Sequence, residues 1–95
     1  MNTHELPNYR QFKVTFLGPT NHRGARVKIT EPKRFVDGKT ISVILSYDYA
    51  IGDIEQQAVN HLDGLGFKLV ARCSETNCYT ILCNNWGLDF IELTA

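Results

Sequence analysis

The chain predicts an α+β fold: an antiparallel sheet of five or six strands with one helix packed on one face, in the order βββαββ(β). Three observations carry this expectation. Apolar and polar residues alternate with period two in three early segments separated by Gly and Pro signals. A single stretch after Asp53 changes to helical spacing. Alternation then resumes at Phe67 and recurs to the C-terminal end.

Residues 1–9 are polar, contain Pro7, and read as a loose lead-in to a single domain spanning 1–95. Phe12, Val14 and Phe16 alternate with Gln11, Lys13 and Thr15, as in a strand with one buried face. Gly18-Pro19 stops it. Val27 and Ile29 alternate with Arg26, Lys28 and Thr30 in a second strand, and Pro32 ends it because proline has no ladder donor. After the turn dipeptide Asp37-Gly38, Ile41, Val43 and Leu45 alternate with Ser42 and Ser46, while Ile44 breaks the polarity. Short connections make these three an antiparallel meander.

Asp53 can cap a helix, and Gln56 three residues on suggests a capping box. Ile54, Ala58, His61 or Leu62, and Leu65 form one stripe, so the helix is expected over Asp53–Asp63, with Gly64 and Gly66 ending it. Phe67, Leu69 and Ala71 begin the next strand. Ser74–Asn77 reads as a four-residue turn, Cys78–Cys83 as the return strand, Asn84–Gly87 as another turn and Leu88–Leu93 as a last strand. One helix covers little of such a sheet. The other face must be polar, curled into a partial barrel, or covered by another chain.

Ninety-five residues, 43% hydrophobic and 21% charged, describe one ordinary globular domain. No apolar run approaches the roughly 20 residues that span a bilayer, and residues 1–10 contain no signal-peptide core, so a cytoplasmic location and no membrane partner are expected. Formal net charge is zero but unevenly spread. Residues 1–40 hold eight Lys or Arg against three acids, a net +5, and residues 41–95 hold two against seven, a net −5. Such asymmetry steers an anionic partner to one end or draws two copies together; equally, both sets can simply solvate outer faces.

Residues that would carry chemistry are scattered. Cys73 and Cys78 flank the expected turn and would face each other across a hairpin, with Cys83 on the opposite face of its strand. Three thiols split between two faces do not converge on a metal, and C-x-x-C is absent, so small-hydrophobe packing is the expected role. His4, His22 and His61 stand in no nucleophile, base or metal spacing. No carboxylate pair suggests acid/base work. No catalytic residue, metal or cofactor is therefore expected.

The loop and strand 17–30 are the best candidate for a binding surface. Thr20, Asn21, His22 and Arg23 supply hydrogen-bond donors between Gly18 and Gly24, whose freedom allows unusual backbone angles. Arg26 and Lys28 follow at i, i+2 spacing, and Lys13 of the neighbouring strand can join them. Cations and donors on one surface suit phosphates. A structural account also fits, since Asn and Gly build turns and Lys and Arg decorate strands. Tyr47, Tyr49 and Trp86 add aromatic surface, which stacks on bases or packs in interfaces.

The run Gly18-Pro19-Thr20-Asn21-His22-Arg23-Gly24-Ala25-Arg26-Val27-Lys28-Ile29, with Tyr47-Asp48-Tyr49 before a helix carrying Ala58 and Leu62, resembles a type of small bacterial protein encoded near phage or plasmid genes. The resemblance implies a mobile-element setting and transfers no activity. The sequence thus points to non-enzymatic binding. One reading is a nucleic-acid accessory protein using Thr20, Asn21, His22, Arg23, Arg26 and Lys28. The other is a protein-interaction or inhibitor module acting as a homodimer.

Overall fold

A computed structural model describes residues 2–32, 40–76 and 78–84. Strands β1 (Arg10–Leu17), β2 (Arg26–Glu31) and β3 (Ile41–Ser46) form the expected meander. Helix α1 (Ile54–Gly64) follows, and then β4 (Leu69–Glu75) and β5 (Cys78–Cys83) form a hairpin. The sheet is antiparallel in the order β3-β2-β1-β5-β4, so β5 returns to the middle beside β1 and leaves β4 outside it. The helix-bearing connection carries the chain from the β3 side to the β4 side, with α1 lying against β1, β2 and β4. The expected Asp37-Gly38 turn, Trp86 and the Leu88–Leu93 strand lie outside the described residues. Within the lead-in, Thr3–Glu5 forms one 3-10 turn with a capping box between Asn2 and Glu5.

Period-two alternation does what it promised in β1 and β2. Phe12, Val14, Val27 and Ile29 are fully buried under the helix with Ala58, Leu62, Phe67, Ile81 and Cys83. Phe12 and Phe67 meet edge to face at 5.0 Å. The helix starts at Asp53, whose Oδ1 accepts from the Glu55 N–H at 2.9 Å. The expected return bond from Gln56 is replaced by one to Asn60 at 2.8 Å, because an exposed helical amide is a near neighbour of position i+4. The end is a Schellman motif. Gly66 N–H donates to Asp63 O at 3.0 Å and Phe67 N–H to Leu62 O at 3.2 Å, and Gly66 takes a φ of 100° that a side chain would resist.

Two charged pairs sit on the helix side of the sheet. Arg10 is 1% exposed, bonds Glu31 through Nε, and donates from Nη2 to Glu31 Oε1 at 3.0 Å. Its guanidinium also lies 4.9 Å from the Phe67 ring centre and 5.3 Å from that of Phe12. Across the helix, Arg72 of β4 donates to Glu55 at 2.5 Å.

The cysteines depart from expectation. Cys78 pairs with Glu75, and Cys73 pairs with Thr80, so the two thiols share a face but are not opposite each other. The ladder continues two residues closer to the turn than a four-residue Ser74–Asn77 loop allows, which shifts each strand past the expected pairing. Cys83 is buried on the other face, as its odd offset from Cys78 requires.

Candidate functional site: the open sheet face and the clefts at its end

The face without the helix is polar and cationic on its β1–β2–β3 side. The ladder register sets Arg26 between Ser46 and Leu17, Lys28 between Ile44 and Thr15, and Lys13 beside Thr30. Arg26 and Lys28 are therefore two residues apart on one strand, roughly 7 Å. Lys13 is the diagonal neighbour of Lys28, about 7–8 Å away. Further along the Lys28 row stand Cys78 and then Glu75, on the far edge strand. Glu75 is the one carboxylate on this face among the described strand residues. Among the described residues no carboxylate forms a salt bridge with Lys13, Arg23, Arg26 or Lys28. The Nε of Arg26 is buried without a hydrogen-bond partner.

The loop that feeds β2 is tied by Thr20. Its Oγ1 accepts from the Arg23 N–H at 3.1 Å and the His22 N–H at 3.3 Å, while Thr20 N–H donates to Arg23 O at 2.7 Å. Thr20 is thus a loop builder, and Asn21, His22 and Arg23 stand exposed on the turn it closes. Gly18 and Gly24 do not use the left-handed freedom expected of them: among described glycines only Gly52 and Gly66 have positive φ. Side-chain hydrogen bonds close this turn instead.

The loop meets the Tyr47–Tyr49 junction at the end of the sheet, and two clefts open there. One, of about 530 Å³, is lined by Arg23, Gly24, Ala25, Arg26, Ile44, Ser46, Tyr47 and Tyr49. The second, of about 460 Å³, is apolar and lined by Phe16, Pro19, Ala25, Tyr47, Tyr49 and Ile54. Ala25, Tyr47 and Tyr49 belong to both, so the tyrosines are a shared wall between a cationic compartment and a greasy one. Neither lining includes a carboxylate, histidine or cysteine among the described residues.

The wall is held by hydrogen bonds. Tyr47 N–H donates to Ala25 O at 2.9 Å, fastening the junction to the loop. The buried Gln57 side chain reaches from the helix, accepting from Asp48 N–H at 3.0 Å and donating to Ser46 O at 2.8 Å. Asp48 Oδ1 accepts from Ala50 N–H at 2.9 Å, and Gly52 takes a φ of 72° as the chain turns into the helix. Tyr47 stacks edge to face between Phe16 at 5.7 Å and Tyr49 at 4.8 Å. Tyr49 is 77% exposed and Phe16 48%, although Phe16 lies on the helix side of β1, where it lines the apolar cleft with Ile54.

Of the six expected site residues, Arg23 and Arg26 line one cleft, Lys28 extends it along the open face, and Thr20 shapes the loop that carries Asn21 and His22. Gln57 was not among them. A glutamine on a helix reads as a solvated residue, and only the long-range approach of the junction gives it partners. His61 is not near this site; its Nε2 is buried without a partner and burial pushes its pKa below the ordinary value.

Fold and site together define a small α+β domain with a helix packed on one sheet face, an open face that is cationic along β1–β3, and an aromatic cleft at its end. No family model, curated protein or solved structure matches the chain.

Proposed function

We propose that this domain is a non-enzymatic nucleic-acid-binding module that holds phosphates along Arg23, Arg26, Lys28 and Lys13. The observation that carries the reading is the grouping of these cations on and beside the open face, with no salt-bridge partner among the described residues. A cation that is already neutralised has little to offer a phosphate. One that is solvated by water and counterions releases those counterions on binding.

A panel of labelled DNA and RNA oligonucleotides at low salt tests the reading. Binding is expected, weakened by Arg26→Ala and by Lys28→Ala to similar extents across sequences, because phosphate contacts are sequence-blind. Absence of binding to every oligonucleotide refutes it.

A second reading is self-association along β4, which among the described residues has a ladder partner on one side only. Sedimentation of the free protein distinguishes it: a dimer supports that reading, and a monomer at high concentration contradicts it.

A further inference from the structure

We propose that the domain selects single-stranded over duplex nucleic acid by taking one unpaired base into the apolar cleft, while Arg23 and Arg26 hold the adjoining phosphate. This deepens the nucleic-acid reading and rests on it.

Three observations point to an occupant that is flat and apolar at one end and anionic at the other. First, the two clefts share Ala25, Tyr47 and Tyr49 as lining, and their chemistry differs sharply across that wall. Second, Tyr49 is 77% exposed beside two arginines, so its ring has surface open to a stacking ligand. Third, the wall is positioned rather than loose. Gln57 grips the backbone on both sides of Tyr47, and Tyr47 meets both Phe16 and Tyr49 edge to face. Pre-positioned rings lose little freedom when a base stacks on them.

A base in a duplex is stacked and paired, and cannot reach such a cleft without leaving the helix. An unpaired base reaches it freely. Stacking on an aromatic side chain tolerates any base, so the cleft would prefer strandedness to sequence. The charge arrangement agrees: Arg23 and Arg26 line the compartment next to the tyrosines, and Lys28 and Lys13 continue onto the open face, where the flanking phosphates would run.

The test uses four fluorescent ligands with the whole chain: a single-stranded oligonucleotide, an abasic strand of equal length, a duplex, and a mononucleotide. Fluorescence anisotropy is read for the native protein, Tyr49→Ala, Tyr49→Phe and Arg26→Ala. The native protein is expected to bind the single strand about 5- to 150-fold tighter than the abasic strand, the range that stacking of one base supplies. Tyr49→Ala should erase that ratio without weakening the abasic strand, and Tyr49→Phe should keep it. Tyr49 is exposed, so both Tyr49 variants should fold as the native protein does. Tighter mononucleotide than oligonucleotide binding would assign the cleft to a free nucleotide and overturn the proposal. So would equal affinity for abasic and normal strands, or a preference for duplex. In those cases an Arg26→Ala loss on every polyanion would leave the phosphate reading standing. Failure of all four ligands to bind would remove both.

Discussion

Glu31→Leu takes the paired carboxylate away from the buried Arg10 guanidinium, and the structure sets the cost. Arg10 is 1% exposed and cannot turn to water without opening the sheet against Phe67. The substitution deletes the carboxylate bonds from Nε and from Nη2. Hydrogen bonds to charged groups contribute about 1.5–3 kcal/mol each, and breaking a buried pair by removing one partner costs about 3–5 kcal/mol. The Phe12 and Phe67 rings return about 2 kcal/mol, and they do so with or without Glu31. A loss of about 3–5 kcal/mol is therefore expected, a large part of the roughly 5–14 kcal/mol that holds a domain of this size. Arg10→Met alone removes the guanidinium from the buried Glu31 carboxylate and should also destabilise. Arg10→Met with Glu31→Leu removes both charges and should lose no more than the worse single variant. Urea unfolding of all four proteins gives the double-mutant cycle. A Glu31→Leu loss below about 1 kcal/mol, or a double variant as unstable as the two losses combined, would refute the reasoning.

Three further outcomes follow from the same geometry. Gln57→Leu leaves Asp48 N–H and Ser46 O without their partner and should cost about 1–3 kcal/mol in urea unfolding, with weaker oligonucleotide binding than its stability loss alone explains. Gly66→Ala forces a side chain into a φ of 100° and should lower stability by about 1–2 kcal/mol by thermal unfolding, without altering oligonucleotide affinity. His61, whose pKa in the folded protein is held down by burial, binds protons more readily when unfolded. Its contribution is complete above the unfolded value of 6.5 and is lost as pH falls from there toward the folded pKa, so urea midpoints should drop across that window less steeply in His61→Leu.

Much of the fold was legible because a sheet with one face under a helix writes period two into the strands it covers. Phe12, Val14, Val27 and Ile29 were readable as core for that reason alone. Ile44 was the visible exception, and it lies on the open face at the rim of the cationic cleft. Arg10 and Glu31 were not legible. A charge at a strand end looks solvated, and only the pairing of β1 with β2 brings these two together under the rings. The cationic surface was readable because Arg26 and Lys28 share a strand face, and Lys13 joins them through the ladder. The tyrosine wall was readable only as aromatic residues near a helix start. Its position depends on Gln57, Ala25 and Phe16, which meet it from three separate elements. The thiol pairing missed by two residues because hairpin register depends on turn length, which composition does not fix.

The most direct test of the central claim is the salt dependence of single-stranded oligonucleotide binding. Four cations, Arg23, Arg26, Lys28 and Lys13, each contributing a slope of about −0.7, give a log–log slope near −3 and about a 50-fold loss of affinity between 50 and 200 mM salt. Each of Arg26→Ala and Lys28→Ala should flatten that slope by about 0.7. A slope near zero, or one that both variants leave unchanged, would contradict the account.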